Sequence, residues 1–238
     1  MSALVKHGDF WFRHRGALLP ISIVLLLIPS PALAPDPLPV GLAGLGIAVA
    51  GQLIRCGTIG LVYIIRGGKD HKVHAETLVT QGLYNHVRNP MYLGNFFLIS
   101  GFALASNRWL FLIAGTAIAL YVHRAIVAAE EHFLRDRFGA PFDDYCARVP
   151  RFLPRLAGLA TTLRGHSFDS RRVIAQEYQK PFGWPAMIAA VVIINIWRAG
   201  LWEPYRPVVI GLAGLIILRF VLWRRALALR RAAAAGPA

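Results

Sequence analysis

Six apolar blocks of membrane-spanning length alternate with basic stretches along this 238-residue chain. A transmembrane helix needs about 20 mainly apolar residues. In lipid the backbone must satisfy its own hydrogen bonds, so helices are the default spanning element. The sequence therefore predicts an all-α integral membrane protein with about six transmembrane helices. The predicted spans cover residues 16–34, 40–65, 91–106, 109–129, 183–202 and 207–223.

The first block has a second interpretation. Arg13 and Arg15 precede an apolar run that ends in Ala32-Leu33-Ala34, which is the pattern of a secretory signal peptide with its cleavage site. Pro35 would directly follow the cut, where proline fits processing poorly. Both interpretations stay open, and Pro35 favours a retained membrane helix.

The basic residues indicate the orientation. Of the 26 Lys and Arg residues, 21 lie in segments that alternation along the chain assigns to one side of the membrane. Only Arg108, Arg198 and Arg206 lie in the opposite loops. Cytoplasmic loops are enriched in Lys and Arg, so we predict a multi-pass protein with both termini in the cytoplasm, of a bacterial inner membrane.

The net charge of +14 could also suggest nucleic acid as a partner. No basic stretch is interleaved with aromatic residues on a soluble module, so we predict no nucleic-acid partner. We expect the basic loops to meet the anionic inner leaflet of the lipid bilayer. Cys56 lies in an apolar block and Cys146 in a basic loop, which makes a disulfide improbable, and neither has histidines at metal-ligand spacing. We predict no metal site, and the oligomeric state stays open.

The third and fourth spans are joined only by Asn107 and Arg108 and therefore predict a tight helical hairpin. A hairpin returns the chain to the face it left, so the polar blocks at residues 71–92 and 123–154 must meet there. We divide the chain into an N-terminal segment with the first span (1–39), a membrane core (40–160), and an interfacial segment with two further helices (161–238).

The first polar block contains a helix start. Gly82 suggests a turn, and Pro90 keeps Asn89 extended, which places Asn89 as an N-cap with Tyr92 in the first turn. Free N–H groups at a helix start can receive a carboxylate or a phosphate. The alternative is an interfacial anchor, because Tyr and Arg commonly hold helix ends at the headgroups.

The second polar block contains the paired acids Glu130 and Glu131. Helical spacing puts Arg124 on the face of Glu131 and His123 on that of Glu130. These acids oppose a basic surface, so they either form salt bridges, with Arg124, Arg135 and Arg137 as partners, or attract a cationic ligand.

Within the second span, Arg55 follows Gln52 by about one turn. At that depth a polar pair either lines a site or makes a structural hydrogen bond. Glycines between residues 41 and 51 and at Gly211 and Gly214 predict close helix packing.

These motifs resemble the isoprenylcysteine carboxyl methyltransferase family, which shares its core with the phospholipid N-methyltransferases. The resemblance covers roughly residues 40–155 and rests on two motifs in the family's order around a hairpin. The matching residues are Leu78-Val79-Thr80, Gly82-x-Tyr84, Arg88-Asn89-Pro90-x-Tyr92, Glu130-Glu131-x-x-Leu134, Phe138-Gly139, Tyr145, Val149-Pro150-Arg151 and Pro154.

The resemblance implies methyl transfer from S-adenosylmethionine, at a cytoplasmic cofactor site, to a membrane lipid or lipid-linked acceptor such as a prenylcysteine carboxylate. The residues that match the family's cofactor site are Glu76, Thr77, Leu78, Val79, Tyr84, Asn89, Pro90, Met91, Tyr92 and Glu130. Two departures concern the acceptor. Asn89 replaces the histidine of the family's Arg-His-Pro triplet, and Ile126 stands where prenylcysteine-methylating relatives have an arginine.

The acceptor decides whether a base is needed. A carboxylate needs none, whereas an amine or hydroxyl must lose a proton, for which His86, His123 and Glu131 are candidates. We predict catalytic roles for Glu131, Arg124 and His86, and acceptor contacts for Arg55 and Arg124. Two other hypotheses stay open: an NADPH-dependent membrane lipid or sterol reductase, with a similar Arg-x-Pro-x-Tyr element, and a non-catalytic membrane scaffold.

Overall fold

A computed structural model describes residues 2–62, 75, 77–177 and 183–234. These residues form ten α-helices and no β-strand. The helices are α1 (Ala3–Arg13), α2 (Leu18–Leu27), α3 (Pro37–Leu61), α4 (Pro90–Ala105), α5 (Thr116–Phe138), α6 (Ala140–Arg148), α7 (Leu159–Gly165), α8 (Ser170–Glu177), α9 (Trp184–Arg198) and α10 (Trp202–Ala234).

Three helical stretches among the described residues are long and apolar enough to cross a membrane: Pro37–Leu61, Phe111–Phe138 and Trp202–Arg225. The shorter helices α4 and α9 are also apolar. The protein is therefore a helical membrane protein, as its apolar blocks indicate. The count of six spans and the orientation stay predictions.

Helices α3 and α4 approach closely along most of their length. A Cβ on Gly51 would lie 2.6 Å from the Gly94 carbonyl oxygen, and a Cβ on Gly101 would lie 2.5 Å from that of Gly44. The predicted packing role is therefore confirmed for Gly41, Gly44 and Gly51, and it is wrong for Gly46, where a Cβ would meet open space. The same prediction is wrong for Gly211 and Gly214, because a Cβ there would meet open space.

The N-terminal segment runs antiparallel to α5. Gly8 lies against Ala125, Phe12 packs with Val122, and Ala32 forms an isolated bridge with Arg108. The predicted first span differs from the structure, since its helix ends at Leu27 and residues 28–34 are not helical. The prolines at positions 29, 31 and 35 explain this ending, because proline disfavours helix both at itself and at the preceding residue.

The predicted hairpin of α4 and α5 is present. Asn107 adopts a left-handed conformation (φ 54°) at the turn, and its side-chain amide exchanges hydrogen bonds of 3.0 and 2.9 Å with the Ala34 backbone. A π-helical turn, Phe111–Gly115, leads into α5. Helix α5 continues to Phe138, past the predicted end of the span, so both Glu130 and Glu131 are helical.

Helix α5 ends at a sharp change of direction. Gly139 has φ 57° and ψ −131°, a conformation available essentially only to glycine, and α6 begins at the next residue. Helix α6 folds back on α5 through a small core that also includes the chain before α4. Its buried members are Ala75, Leu134, Phe142, Tyr145 and Val149.

Helix α8 lies along the last turns of α3. The Asp169 N–H donates to the Gly60 carbonyl (2.9 Å), and Arg172 donates to the Ile59 carbonyl (3.3 Å). Because α8 runs from the end of α3 back along it, its last residue, Glu177, reaches the level of Arg55.

Candidate functional site

The two polar blocks meet in the structure, as the hairpin requires. The Arg88 N–H donates to the Pro150 carbonyl (2.9 Å), and the Arg155 N–H donates to the His86 carbonyl (3.0 Å). The Tyr145 hydroxyl donates to the Tyr84 carbonyl (2.7 Å). Backbone bonds therefore hold the start of α4 against the chain that follows α6.

Glu131 is held by arginines from both blocks. The Glu131 side chain is buried. Arg151 donates to its Oε2 through Nε (2.9 Å) and Nη2. Arg88 Nε lies 3.4 Å from its Oε1. The Asn89 amide donates to Oε1 (3.3 Å). Two guanidinium groups compensate this carboxylate, which links them to Asn89 at the start of α4.

The ion pairs predicted for the paired acids differ from the observed ones. Arg135 pairs with Asp143 (2.8 Å) rather than with Glu131, and Arg124 is exposed. The structure therefore does not bring Arg124 to Glu131, although both lie on one helical face. The actual partner, Arg151, comes from beyond α6.

Tyr92 joins Glu130 to His123. The Tyr92 hydroxyl donates to Glu130 Oε1 (2.7 Å), and its ring meets the His123 ring edge-on at 5.7 Å. Glu130 and His123 are both buried. The predicted proximity of these two residues is therefore observed, with Tyr92 from α4 between them.

The N-terminus of α4 faces this cluster. Asn89 occupies the N-cap position, as predicted, but its side chain accepts no capping hydrogen bond and donates instead to Glu131 and to the Arg151 carbonyl (3.3 Å). Met91 and Tyr92 have no intrahelical acceptor for their N–H groups because of their place in the first turn. Pro90, at the first helical position, has no N–H to satisfy.

The other residues predicted for the cofactor site lie before a short 3-10 helix, Gly82–Asn85, or within it. Glu76 lies outside the described residues. Thr77 is exposed, Leu78 and Val79 are half-buried, and Tyr84 is fully buried. Leu78 packs against the core of α6, and the Tyr84 carbonyl accepts from the Tyr145 hydroxyl of α6, so both residues contact α6.

His86 has both ring nitrogens engaged. Nδ1 lies 2.7 Å from the Arg155 carbonyl oxygen and must donate to it, while Nε2 lies 2.8 Å from the Thr162 hydroxyl. His123 Nδ1 donates to the Ala119 carbonyl (2.7 Å). Among the described residues, no hydrogen-bond partner reaches His123 Nε2. Of the candidate bases, His123 is thus the one with a nitrogen lone pair left for a ligand.

Arg55 of α3 belongs to a second polar cluster, which reaches α4 at Asn95. It donates to Glu177 through Nη2 (2.5 Å) and Nε (3.3 Å), and it donates to the Asn95 side-chain oxygen. Gln52 also donates to Glu177 (3.0 Å) and accepts from the Trp184 indole (2.7 Å). Sequence reasoning identified Gln52 and Arg55 by their depth, but it had no signal for Glu177.

Among the described residues, no group of three or more His, Cys, Asp and Glu side chains could hold a metal ion.

Comparison with known proteins places the site in a family context. Residues 43–141, which contain most of α3, all of α4 and α5 and both acids, match the family model described as phospholipid methyltransferase. This confirms the resemblance seen in the two motifs. No solved structure matches the chain significantly.

Three curated relatives align with about half of the chain. The nickel-cobalt-cadmium resistance protein NccN of Alcaligenes xylosoxydans xylosoxydans is 36% identical over 50% of this chain and 51% of its own length. The cobalt-zinc-cadmium resistance protein CzcN of Cupriavidus metallidurans is 31% identical over 50% of each protein. Methanethiol S-methyltransferase 2 of Bradyrhizobium diazoefficiens is 32% identical over 48% of this chain and 39% of its own length. The chain thus spans about half, or less, of the length of these relatives.

Proposed function

We propose that this chain, whose α3–α5 core matches the phospholipid methyltransferase model, is an integral membrane methyltransferase that uses S-adenosylmethionine. The observation that carries the proposal is the buried Glu130 carboxylate, which Tyr92 holds beside the N-terminus of α4. The proposed acceptor is a membrane-embedded or lipid-linked molecule, and the methanethiol S-methyltransferase relative adds small thiols to the acceptors worth testing.

The residues present fit the amino-acid end of S-adenosylmethionine. Its ammonium group suits the Glu130 carboxylate, and its carboxylate suits the first-turn N–H groups of Met91 and Tyr92. When bound, the cofactor supplies a methyl group on a sulfonium, which is an electrophile that needs no metal. The buried position of Glu130 strengthens its interaction with a cation, because the surroundings screen charge less than water does.

The chain's own residues then have three tasks. Glu130 and the start of α4 orient the donor, and Glu131 with Arg151 keeps that helix start in place. Displacement at a methyl group depends mainly on alignment and on exclusion of water, which the burial of Glu130, Glu131 and Asn89 favours. For an acceptor that must lose a proton, His123 Nε2 is the group we assign to receive it.

The cytoplasmic orientation belongs to the same proposal. It rests on the excess of Lys and Arg in the segments that carry the site, together with six spans and both termini inside. In this arrangement the donor enters from the cytoplasm, and the acceptor enters between helices from the bilayer.

The reductase hypothesis is the second candidate. Its dinucleotide carries anionic phosphates, for which Arg88 and Arg151 would be the natural partners. Both arginines are already engaged with Glu131, and this favours the methyl donor.

Calorimetric titration of the purified protein tests the assignment. We expect binding of S-adenosylhomocysteine, no binding of NADPH, and a loss of about tenfold or more in S-adenosylhomocysteine affinity for Glu130→Gln, because a charge-assisted hydrogen bond is removed. Glu203→Gln is the matched control, since Glu203 is exposed at the start of α10, and we expect its affinity to equal that of the unmodified protein.

Full affinity in Glu130→Gln would show that the central site residue is misassigned. Binding of NADPH alone would favour the reductase, and binding of neither ligand would leave the scaffold as the remaining hypothesis.

A further inference from the structure

The Arg55 cluster has the form of a site for an anion. The Asn95 oxygen accepts from Nη1, which turns the other edge of the guanidinium, with Nε and Nη2, toward Glu177. That edge forms the side-on pair of parallel N–H bonds that guanidinium makes with carboxylates and phosphates. The Arg55 side chain is therefore oriented by a residue other than its anionic partner.

A third donor is aimed at the same place. The Trp184 indole N–H occupies the Gln52 side-chain oxygen (2.7 Å), so the amide NH2 of Gln52 is the group that points to Glu177 (3.0 Å). Gly94 leaves room for this arrangement, because a Cβ there would lie 2.6 Å from Arg55 Cγ. Three donors from one face of α3 thus converge on two carboxylate oxygens.

We call the site formed by Gln52, Arg55 and Asn95 the cradle. The carboxylate that occupies it belongs to Glu177 of α8. Glu177 is the last residue of that helix, which is already fixed at its other end by the bonds of Asp169 and Arg172 to α3. The ion pair of Arg55 and Glu177 is partly exposed, with 18% and 20% of the two side chains accessible. An accessible ion pair contributes at most about 1 kcal/mol of stability, so stability alone does not explain three donors aimed at one carboxylate.

The cradle adjoins the proposed donor site. Asn95, which orients Arg55, lies one helical turn after Tyr92, which holds Glu130. One turn of helix rises about 5 Å, so a molecule whose charged group sits at Arg55 extends readily to the Tyr92 end of α4.

We propose that Gln52 and Arg55, with Asn95, form a binding site for the anionic headgroup of an amphiphilic acceptor, and that Glu177 fills this site until the headgroup replaces it. The inference rests on the proposed methyl transfer for the identity of its ligand as an acceptor. The headgroup chemistry is a carboxylate or a phosphate on a hydrocarbon chain, since both accept a side-on guanidinium.

Equilibrium binding of radiolabelled oleate, oleyl phosphate and oleyl alcohol to the full chain in phosphatidylcholine nanodiscs tests this proposal. Glu177→Gln keeps the size of the side chain and its hydrogen bonding but removes the competing charge, so we expect it to bind the anionic probes about tenfold more tightly than the unmodified protein. Arg55→Met should abolish that binding. Oleyl alcohol should bind all forms equally.

Asp143→Asn is the matched control. It also removes a carboxylate paired with an arginine (Arg135, 2.8 Å), but on the exposed surface, and we expect less than about a twofold change. If Glu177→Gln binds only oleate more tightly, the site is specific for a carboxylate. If it binds only oleyl phosphate more tightly, the site is specific for a phosphate. Tighter binding of both probes indicates a general anion site.

The proposal would be overturned if Glu177→Gln bound the anionic probes with the affinity of the unmodified protein, or if Asp143→Asn gained as much affinity. The comparison with Glu177→Gln is decisive even when Arg55→Met does not fold. S-adenosylhomocysteine is titrated in parallel. Its failure to bind would refute the proposed cofactor and leave the anion result standing, whereas anion failure with normal S-adenosylhomocysteine binding would refute only the cradle.

Discussion

At the scale of single residues, the two acids of α5 have different surroundings despite being neighbours. Glu131 is compensated by Arg151 and Arg88, whereas Glu130 meets the hydroxyl of Tyr92. A carboxylate between two guanidinium groups has little reason to bind a further cation. In the proposed site, Glu131 thus supports the structure, and its neighbour Glu130 binds the ligand.

Removal of Arg151 tests the supporting role of Glu131. We expect Arg151→Ala to lower the free energy of unfolding by about 1–3 kcal/mol, because a buried carboxylate loses its principal donor. Thermal unfolding in detergent measures this change. Arg135→Ala breaks a comparable but exposed pair with Asp143, and we expect it to cost less than about 1 kcal/mol. Equal losses in both variants would contradict the prediction.

Cys146 offers a probe of the same region. Burial raises the pKa of its thiol, and nearby Arg88 lowers it in part. The thiolate, which is the reactive form, should therefore appear at a higher pH than in a free thiol. In a Cys56→Ser background we expect the rate of iodoacetamide labelling to rise later with pH than that of N-acetylcysteine. Arg88→Ala should move the midpoint of the labelling curve to a still higher pH, because Arg88 lowers the thiol pKa. A shift of this variant's midpoint to lower pH would contradict the prediction.

At the scale of elements, the close pair α3–α4 positions both polar clusters. Helix α3 carries Arg55, while α4 carries Asn95, which contacts Arg55, and Tyr92, which contacts Glu130 of α5. Any increase in the separation of the two helices therefore moves the proposed donor and acceptor sites relative to each other.

A single methyl group at this contact is expected to disturb the pair. Gly51→Ala places a Cβ 2.6 Å from the Gly94 carbonyl oxygen, and overpacking typically costs about 1–3 kcal/mol. Gly46→Ala, on the same helix but facing open space, should be neutral or slightly stabilising because alanine has the higher helix propensity. Thermal unfolding of the two variants makes the comparison, and similar midpoints would show that the close contact is unimportant.

These elements also show which parts of the structure were predictable. The helices α3 and α4 and the hairpin followed from apolar length and a two-residue connection, which are local properties. The docking of α1 on α5 did not, because Gly8 and Ala125 are far apart in sequence.

Partner choice within the site was likewise not predictable. Glu131 has several arginines within reach in the sequence, and only the fold of α6 selects Arg151, 20 residues away. Arg55 and Glu177 are separated by 122 residues. Their pairing depends on α8 lying along α3, and no local pattern encodes that arrangement.

At the scale of the whole molecule, the proposed orientation makes a prediction about access from each side. Asp144 in α6 and Glu203 in α10 are both exposed, and the six-span arrangement puts them on opposite sides of the membrane. In a cysteine-free background, Glu203→Cys should react with a membrane-impermeant maleimide in intact cells. Asp144→Cys should react only after permeabilisation. The reverse pattern would invert the topology, and labelling of both residues in intact cells would refute it.

The order of the cradle residues and Glu177 along the sequence has a consequence for biosynthesis. Gln52, Arg55 and Asn95 leave the ribosome well before Glu177, so during synthesis the guanidinium is in place while its internal carboxylate is not yet available. A membrane anion can occupy the cradle in that interval. In the proposed arrangement, the carboxylate that fills the cradle is therefore synthesised after the residues that form it.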